Sequence, residues 1–151
     1  MNYLPIIALS FVLAYSYYYG FTPLLLPLLF LVVSSITYFV YARDKSAAQK
    51  SERRVPESRL HLFSLFFGWP GAIMAQQQLR HKTKKVSFRV VFWLTVVVNL
   101  SVLGWAHTPK INNSIQAHIV NFESFLSNNV LNKQGANIIR AIIAFNKKAF
   151  K

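Results

Sequence analysis

The chain has 151 residues, 54% of them hydrophobic, and its Lys and Arg outnumber Asp and Glu by 17 to 4, for a net charge of +13. A soluble domain averages about 45–50% apolar residues, and the excess here is gathered into runs, which points to one small membrane domain rather than a globular core. No Cys is present, which excludes structural disulfides, thiolate catalysis and Cys-based zinc sites.

The charge falls in three blocks. Arg43 to Arg59 carries a net of +3, Arg80 to Arg89 a net of +5, and His107 to Lys151 a net of +5. Such blocks beside apolar runs set topology and touch anionic headgroups, at about 1 kcal/mol per residue. Nucleic acid is the weaker fit, because aromatic interleaving of the stacking kind is sparse.

The first apolar run, Tyr3 to Tyr19, reads as a retained helix. It lacks a basic leader, and its Tyr cluster stands where a cleaved signal needs small residues. Gly20-Phe21-Thr22-Pro23 is a tight connection to a second run, Pro23 to Ala42. Its 20 residues would span about 30 Å as a helix, the thickness of a bilayer core. Pro27 is expected to bend it.

Arg43 to Val55 is polar, and Pro56 suits the start of a new helix. Leu60 to Leu79 follows, interrupted by Gly68-Trp69-Pro70-Gly71. Both flanks of this segment are basic, which disfavours a crossing. A re-entrant helix pair turning at Trp69-Pro70 keeps both flanks in the cytoplasm; a kinked but complete span is the alternative. Val90 to Ala106 is the next span, with Asn99 and Ser101 expected to face protein.

The tail is amphipathic. Ile111, Ile115, Ile119, Phe122 and Leu126 recur at helical spacing, opposed by Asn112, Asn121 and Asn128. A helix over Ile111 to Leu131 is expected on the membrane or on the protein's own apolar face. A second stripe follows, Ile138, Ile139, Ile142, Ile143 and Phe150 with Arg140, Lys147 and Lys148, the pattern of an interfacial helix.

The expected fold is therefore an all-α membrane protein. It has three transmembrane helices, a re-entrant (or fourth, kinked) segment and a C-terminal amphipathic tail, divided as a membrane domain at 1–106 and a tail at 107–151.

The residues that could carry chemistry lie between Tyr41 and Phe88. Glu57 and His61 are four apart on a helix starting at Pro56 and share a face, as do Gln76 and Arg80. A carboxylate close to the Arg80–Lys85 block should stay ionised and hold His61 protonated to higher pH. Glu57, His61 and His81 are the candidate catalytic groups, for acid–base work on a lipid or lipid-linked phosphate. Asp44, Lys45, Arg54, Gln76, Arg80, Lys82 and Lys85 are the candidate ligand-binding groups. The structural alternative is that Asp44 and Glu57 merely neutralise nearby cations. Two carboxylates and two histidines could also hold zinc, iron or manganese, but no known ligand spacing is present. No phosphate loop is present either, and nothing calls for a cofactor.

The order D-K, R-x-P-E, L-H, G-W-P-G-A, R-H-K-T and K-x-S-F, in the stretch from Tyr41 to Trp93, resembles a bacterial membrane-protein family known as domain of unknown function 1294. The resemblance covers about Pro23 to Trp105. It implies a small integral protein of the inner membrane without an established activity; some relatives carry an N-terminal cold-shock domain, which this chain lacks. The tail after His107 looks longer than the family's usual ending. The leading expectation is a protein whose cytoplasmic basic face engages membrane lipids through their anionic headgroups, with a protein partner possible through the tail. The competing expectation is a small membrane enzyme.

Overall fold

The fold comes from a computed structural model that describes residues 3–83, 85–129, 133–143 and 145. Among these residues every regular element is helical: α1 (Leu4–Tyr18), α2 (Leu25–Gln49), α3 (Glu57–Phe63), a wound turn (Ser64–Gly68), α4 (Trp69–Gln78), α5 (Val86–Ala106), α6 (Pro109–Asn129) and α7 (Lys133–Ile143). The chain divides into two compact units, one built on Leu29–Val102 with the residues up to Ile7, the other on Ala8–Leu28 with the chain from Leu103 on.

Among the described residues two helices, not three, have the length and apolarity to cross a bilayer, α2 with 25 residues and α5 with 21. The expectation of a third span fails on α1. Its 15 residues rise only about 22 Å, short of a roughly 30 Å core. It stops because Gly20 takes a left-handed φ of 71°. The Phe21 N–H then reaches back to Ser16 O and the Gly20 N–H to Tyr17 O, the paired bonds that close a helix end. The C-terminal end of α2 closes in the same way. Ser51 is left-handed at φ 57°, and Glu52 N–H donates to Ala47 O.

In the unit containing Ser16, a polar knot joins the α1–α2 connection to the α5–α6 corner. Ser16 Oγ lies 3.0 Å from Thr22 Oγ1 and 2.6 Å from His107 Nε2. The other ring nitrogen, Nδ1, donates to Leu103 O at 2.7 Å. Asn112, expected on the polar face of the tail, is instead buried and donates to Phe21 O at 2.6 Å. Its polar side chain satisfies a loop carbonyl, and that outweighs the amphipathic pattern. Ile111, Ile115, Ile119 and Leu126 are half-buried along α6, whereas Phe122 is exposed. Arg140 of α7 pairs with Glu123 of α6 at 2.9 Å. Leu131, Lys147, Lys148, Phe150 and Lys84 lie outside the described residues.

In the other unit, the segment between α2 and α5 leaves Glu57 and returns to it at Lys82. The break falls at Phe66 (φ −91°, ψ 65°) and Phe67 (φ 65°, ψ 0°), earlier than the expected turn at Trp69-Pro70. Pro70 sits in the first turn of α4, where the missing N–H costs nothing. The break frees carbonyls, and the two long helices cap them. Asn99 of α5 donates to Leu65 O at 2.6 Å, and Ser34 of α2 makes a longer bond, 3.4 Å, to Phe67 O. Asn99 thus faces protein, as expected; Ser101 is exposed.

The returning segment lies against α2 without spacers. A Cβ on Gly71 would stand 1.9 Å from Ser34 O, and one on Gly68 2.1 Å from Thr37 Oγ1. Only glycine allows helix backbones to approach so closely. Trp69, Ala72, Ile73 and Ala75 complete the buried face of α4.

Candidate functional site

On α2 the residues turned to this segment are Ser34, Thr37, Tyr41 and Asp44, at spacings of three, four and three. That spacing draws a single stripe along a helix. Thr37, Tyr41 and Asp44 are fully buried, so an otherwise apolar helix presents one polar edge to the protein.

Asp44 anchors the site. Its Oδ1 accepts from Val55 N–H at 2.9 Å, and its Oδ2 accepts from His81 Nε2 at 2.7 Å. A carboxylate only accepts, so Nε2 carries the ring proton. Lys82 Nζ stands 3.9 Å from the same oxygen. Glu57, at the first turn of α3, takes Lys82 on one oxygen and Lys85 on the other, each at 2.7 Å. Lys82 therefore bridges two carboxylates, and the loop after α4 is bolted to both α2 and α3. Arg80 and Lys82 are left-handed, with φ of 47° and 61°. Each such non-glycine residue costs about 1–3 kcal/mol and persists only where its surroundings hold it; for Lys82 the two carboxylates do so.

Of the residues singled out in sequence, Asp44, Glu57, His81, Lys82 and Lys85 meet in this one chain of ion pairs. The partners differ from the expected ones. His81 belongs to Asp44, not Glu57. His61 stacks on Phe88, with ring centroids 4.3 Å apart, and Lys82 Nζ lies 5.5 Å from the centre of the same ring. The expectation that Glu57 keeps His61 protonated fails. Burial against Phe88 dominates and lowers the His61 pKa; Glu57 opposes that shift, and Lys82 and Lys85 reinforce it. Hydrogen bonds from Lys82 and Lys85 pull Glu57 from 4.5 down to about 2.

Gln76 and Arg80 do not share a face, because α4 ends at Gln78. Gln76 is fully buried. Among the described residues its amide, the Tyr41 hydroxyl and the Trp69 indole N–H make no close hydrogen bond, although Tyr41 interacts with Ser64 and Gln76. Arg54 and Arg80 are exposed and Lys45 is half-buried; none of the three forms an ion pair among the described residues. Also among the described residues, no three His, Asp or Glu side chains cluster as a metal would need. Sequence reasoning missed Ser34, Thr37 and the buried role of Phe88. The polar stripe on α2 was the available signal.

The family described as "Protein of unknown function (DUF1294)" matches residues 34–88. This is narrower than Pro23 to Trp105, and its limits coincide with the site: Ser34 opens the polar stripe and Phe88 receives His61. The uncharacterized protein YsdA of Bacillus subtilis (strain 168) is 33% identical over 72 residues, 48% of this chain and 81% of that protein. No solved structure matches. With a curated relative 33% identical and aligned over four-fifths of its length, the chain belongs to the DUF1294 family.

Proposed function

We propose that this chain is an integral protein of a bacterial inner membrane whose cytoplasmic basic face holds anionic lipid headgroups. One observation carries the reading. The acids of the ion-pair chain are consumed by His81, Lys82 and Lys85, while Arg53, Arg54, Arg59, Arg80 and Arg89 are exposed and unpaired among the described residues. These cations flank the C-terminal end of α2 and the N-terminal end of α5, which Tyr41 and Phe88 bring into contact. Two span-length helices sharing one basic end suit an anionic leaflet.

The same contacts support a re-entrant α3–α4 hairpin. The segment starts and finishes at that shared end. Its tip meets Ser34, ten residues from Asp44, or about 15 Å along α2, half of a roughly 30 Å core. Broken helix at that depth needs protein cover, and Ser34 and Asn99 supply it.

A second reading, a small enzyme acting on a lipid-linked phosphate, draws on His81, whose imidazole is oriented by a buried carboxylate as a general base would be. One experiment addresses both. The full chain is purified from bacterial membranes and its bound lipids are weighed by native mass spectrometry. Phosphatidylglycerol retained over phosphatidylethanolamine, and reduced about fivefold for each of Arg53, Arg54 and Arg59 changed to Gln, is expected from roughly 1 kcal/mol per cation. Retention blind to headgroup charge overturns the binding reading. Phosphatidylglycerol recovered chemically intact counts against the enzyme.

A further inference from the structure

α5 carries an exposed groove of about 400 Å³ lined by Val86, Arg89, Val90, Trp93, Leu94 and Val97. The spacing of these residues sets them on one helix face, and Val90, Leu94 and Val97 are each more than half exposed. Five of the six are apolar. The sixth, Arg89, sits near the end that joins the basic block and forms no ion pair among the described residues.

We propose that this groove is a site for one phospholipid, with its phosphate on Arg89 and one acyl chain laid along Val90 to Val97. The inference rests on the reading that the basic end faces an anionic leaflet, and it names where on that end a lipid is bound. Three features commit the groove to this occupant. The first is length: from Arg89 to Val97 α5 rises about 12 Å, most of one leaflet of a roughly 30 Å core. The second is charge: the lone cation lies at the headgroup end of an apolar strip, and an indole stands one turn below it, where interfacial Trp is favoured. The third excludes a second copy. An isologous pair of equally oriented chains would set Arg89 against Arg89, and Val, Leu and Trp are not the small residues on which membrane helices close.

The test uses the full chain in phosphatidylcholine nanodiscs doped with lipids whose acyl chains are brominated, which quench a nearby indole. The Trp93 signal is the difference between the protein and its Trp93→Phe variant. Brominated phosphatidylglycerol should half-quench it at an about fivefold lower share than brominated phosphatidylcholine, the effect of about 1 kcal/mol at one cation, and Arg89→Gln should make the two lipids equal. Equal quenching in the unaltered protein, or a preference that survives Arg89→Gln, overturns the proposal. So does a disulfide between chains bearing Val90→Cys, which would put a protein in the groove. The Arg53→Gln, Arg54→Gln, Arg59→Gln variant separates this site from the broader reading. If that variant loses phosphatidylglycerol while Trp93 shows no headgroup preference, this site is wrong and the broader reading stands. If neither cation set matters, both fall.

Discussion

Asp44 and Glu57 are both carboxylates held by lysine or histidine, yet they do different work. Asp44 has no exposed side-chain surface. A buried carboxylate costs several kcal/mol unless its lone pairs are met, and Val55, His81 and Lys82 meet them, so the cost is converted into a fixed loop. Glu57 keeps about a third of its side-chain surface in solvent, where ion pairs are worth little each, and its effect lies in selecting a charge state. Two pH legs follow. His61 has a folded pKa below its ordinary 6.5, so the unfolded chain takes up its proton first, and stability falls as pH drops below about 6.5. Glu57, lowered from 4.5 to about 2, contributes stability present above 4.5 and lost between 4.5 and about 2. Thermal unfolding across this range should show both legs, with His61→Gln removing the upper and Glu57→Gln the lower. A curve unchanged by Glu57→Gln would mean that its lysine contacts are idle. The charged residues of this site were legible because they interrupt an apolar chain. Their pairing was not: a four-residue spacing couples Glu57 to His61 on paper, but the imidazole stacks on Phe88, distant in sequence, and burial outweighs Glu57 in setting the direction of its pKa.

At the scale of the elements, α2 is the template. Its apolar length was plain in the sequence, and so was its polar stripe once a docking partner is known. What docks there was not plain, and neither was the position of the break, because Phe67 takes a left-handed φ that a bulky side chain seldom adopts. Glycine-rich Gly68-Trp69-Pro70-Gly71 looked like the turn; its glycines instead serve close approach. Gly71→Ala tests this. The new methyl meets the Ser34 backbone, which cannot rotate away, and the cost should be about 1–3 kcal/mol or more. Gly104→Ala, with nothing within 4 Å, should be neutral or stabilising by about 0.5–1 kcal/mol. The two variants compared by thermal unfolding in the same detergent separate packing from helix propensity, and equal midpoints would remove the close-approach argument.

For the whole molecule, the proposed membrane reading turns on how many times the chain crosses. Hydropathy alone suggested a third span because the count of apolar residues in α1 says nothing of where a glycine cap will end it. If α2 and α5 both cross, as the proposed function requires, Lys50 and Ser87 belong on one side and Lys110 on the other. Single Cys substitutions at these three exposed positions can be labelled with an impermeant maleimide in spheroplasts and in inverted vesicles, since the chain has no Cys of its own. Lys50 and Ser87 should react together and Lys110 from the opposite side. Opposite reactivity of Lys50 and Ser87 would mean that the α3–α4 segment crosses completely.

The capped carbonyls at the hairpin tip bear on biosynthesis. The ribosome delivers Leu65 long before Asn99; with the hairpin tip in hydrocarbon, as proposed above, Leu65 O would have no donor until Asn99 arrives, and an unmet carbonyl there costs several kcal/mol. On that reading the hairpin waits near the surface until α5, made after it, has entered. On the proposed reading, order of assembly runs against order of synthesis, and Asn99, about two-thirds of the way along α5, gives the signal for the middle of the protein to settle.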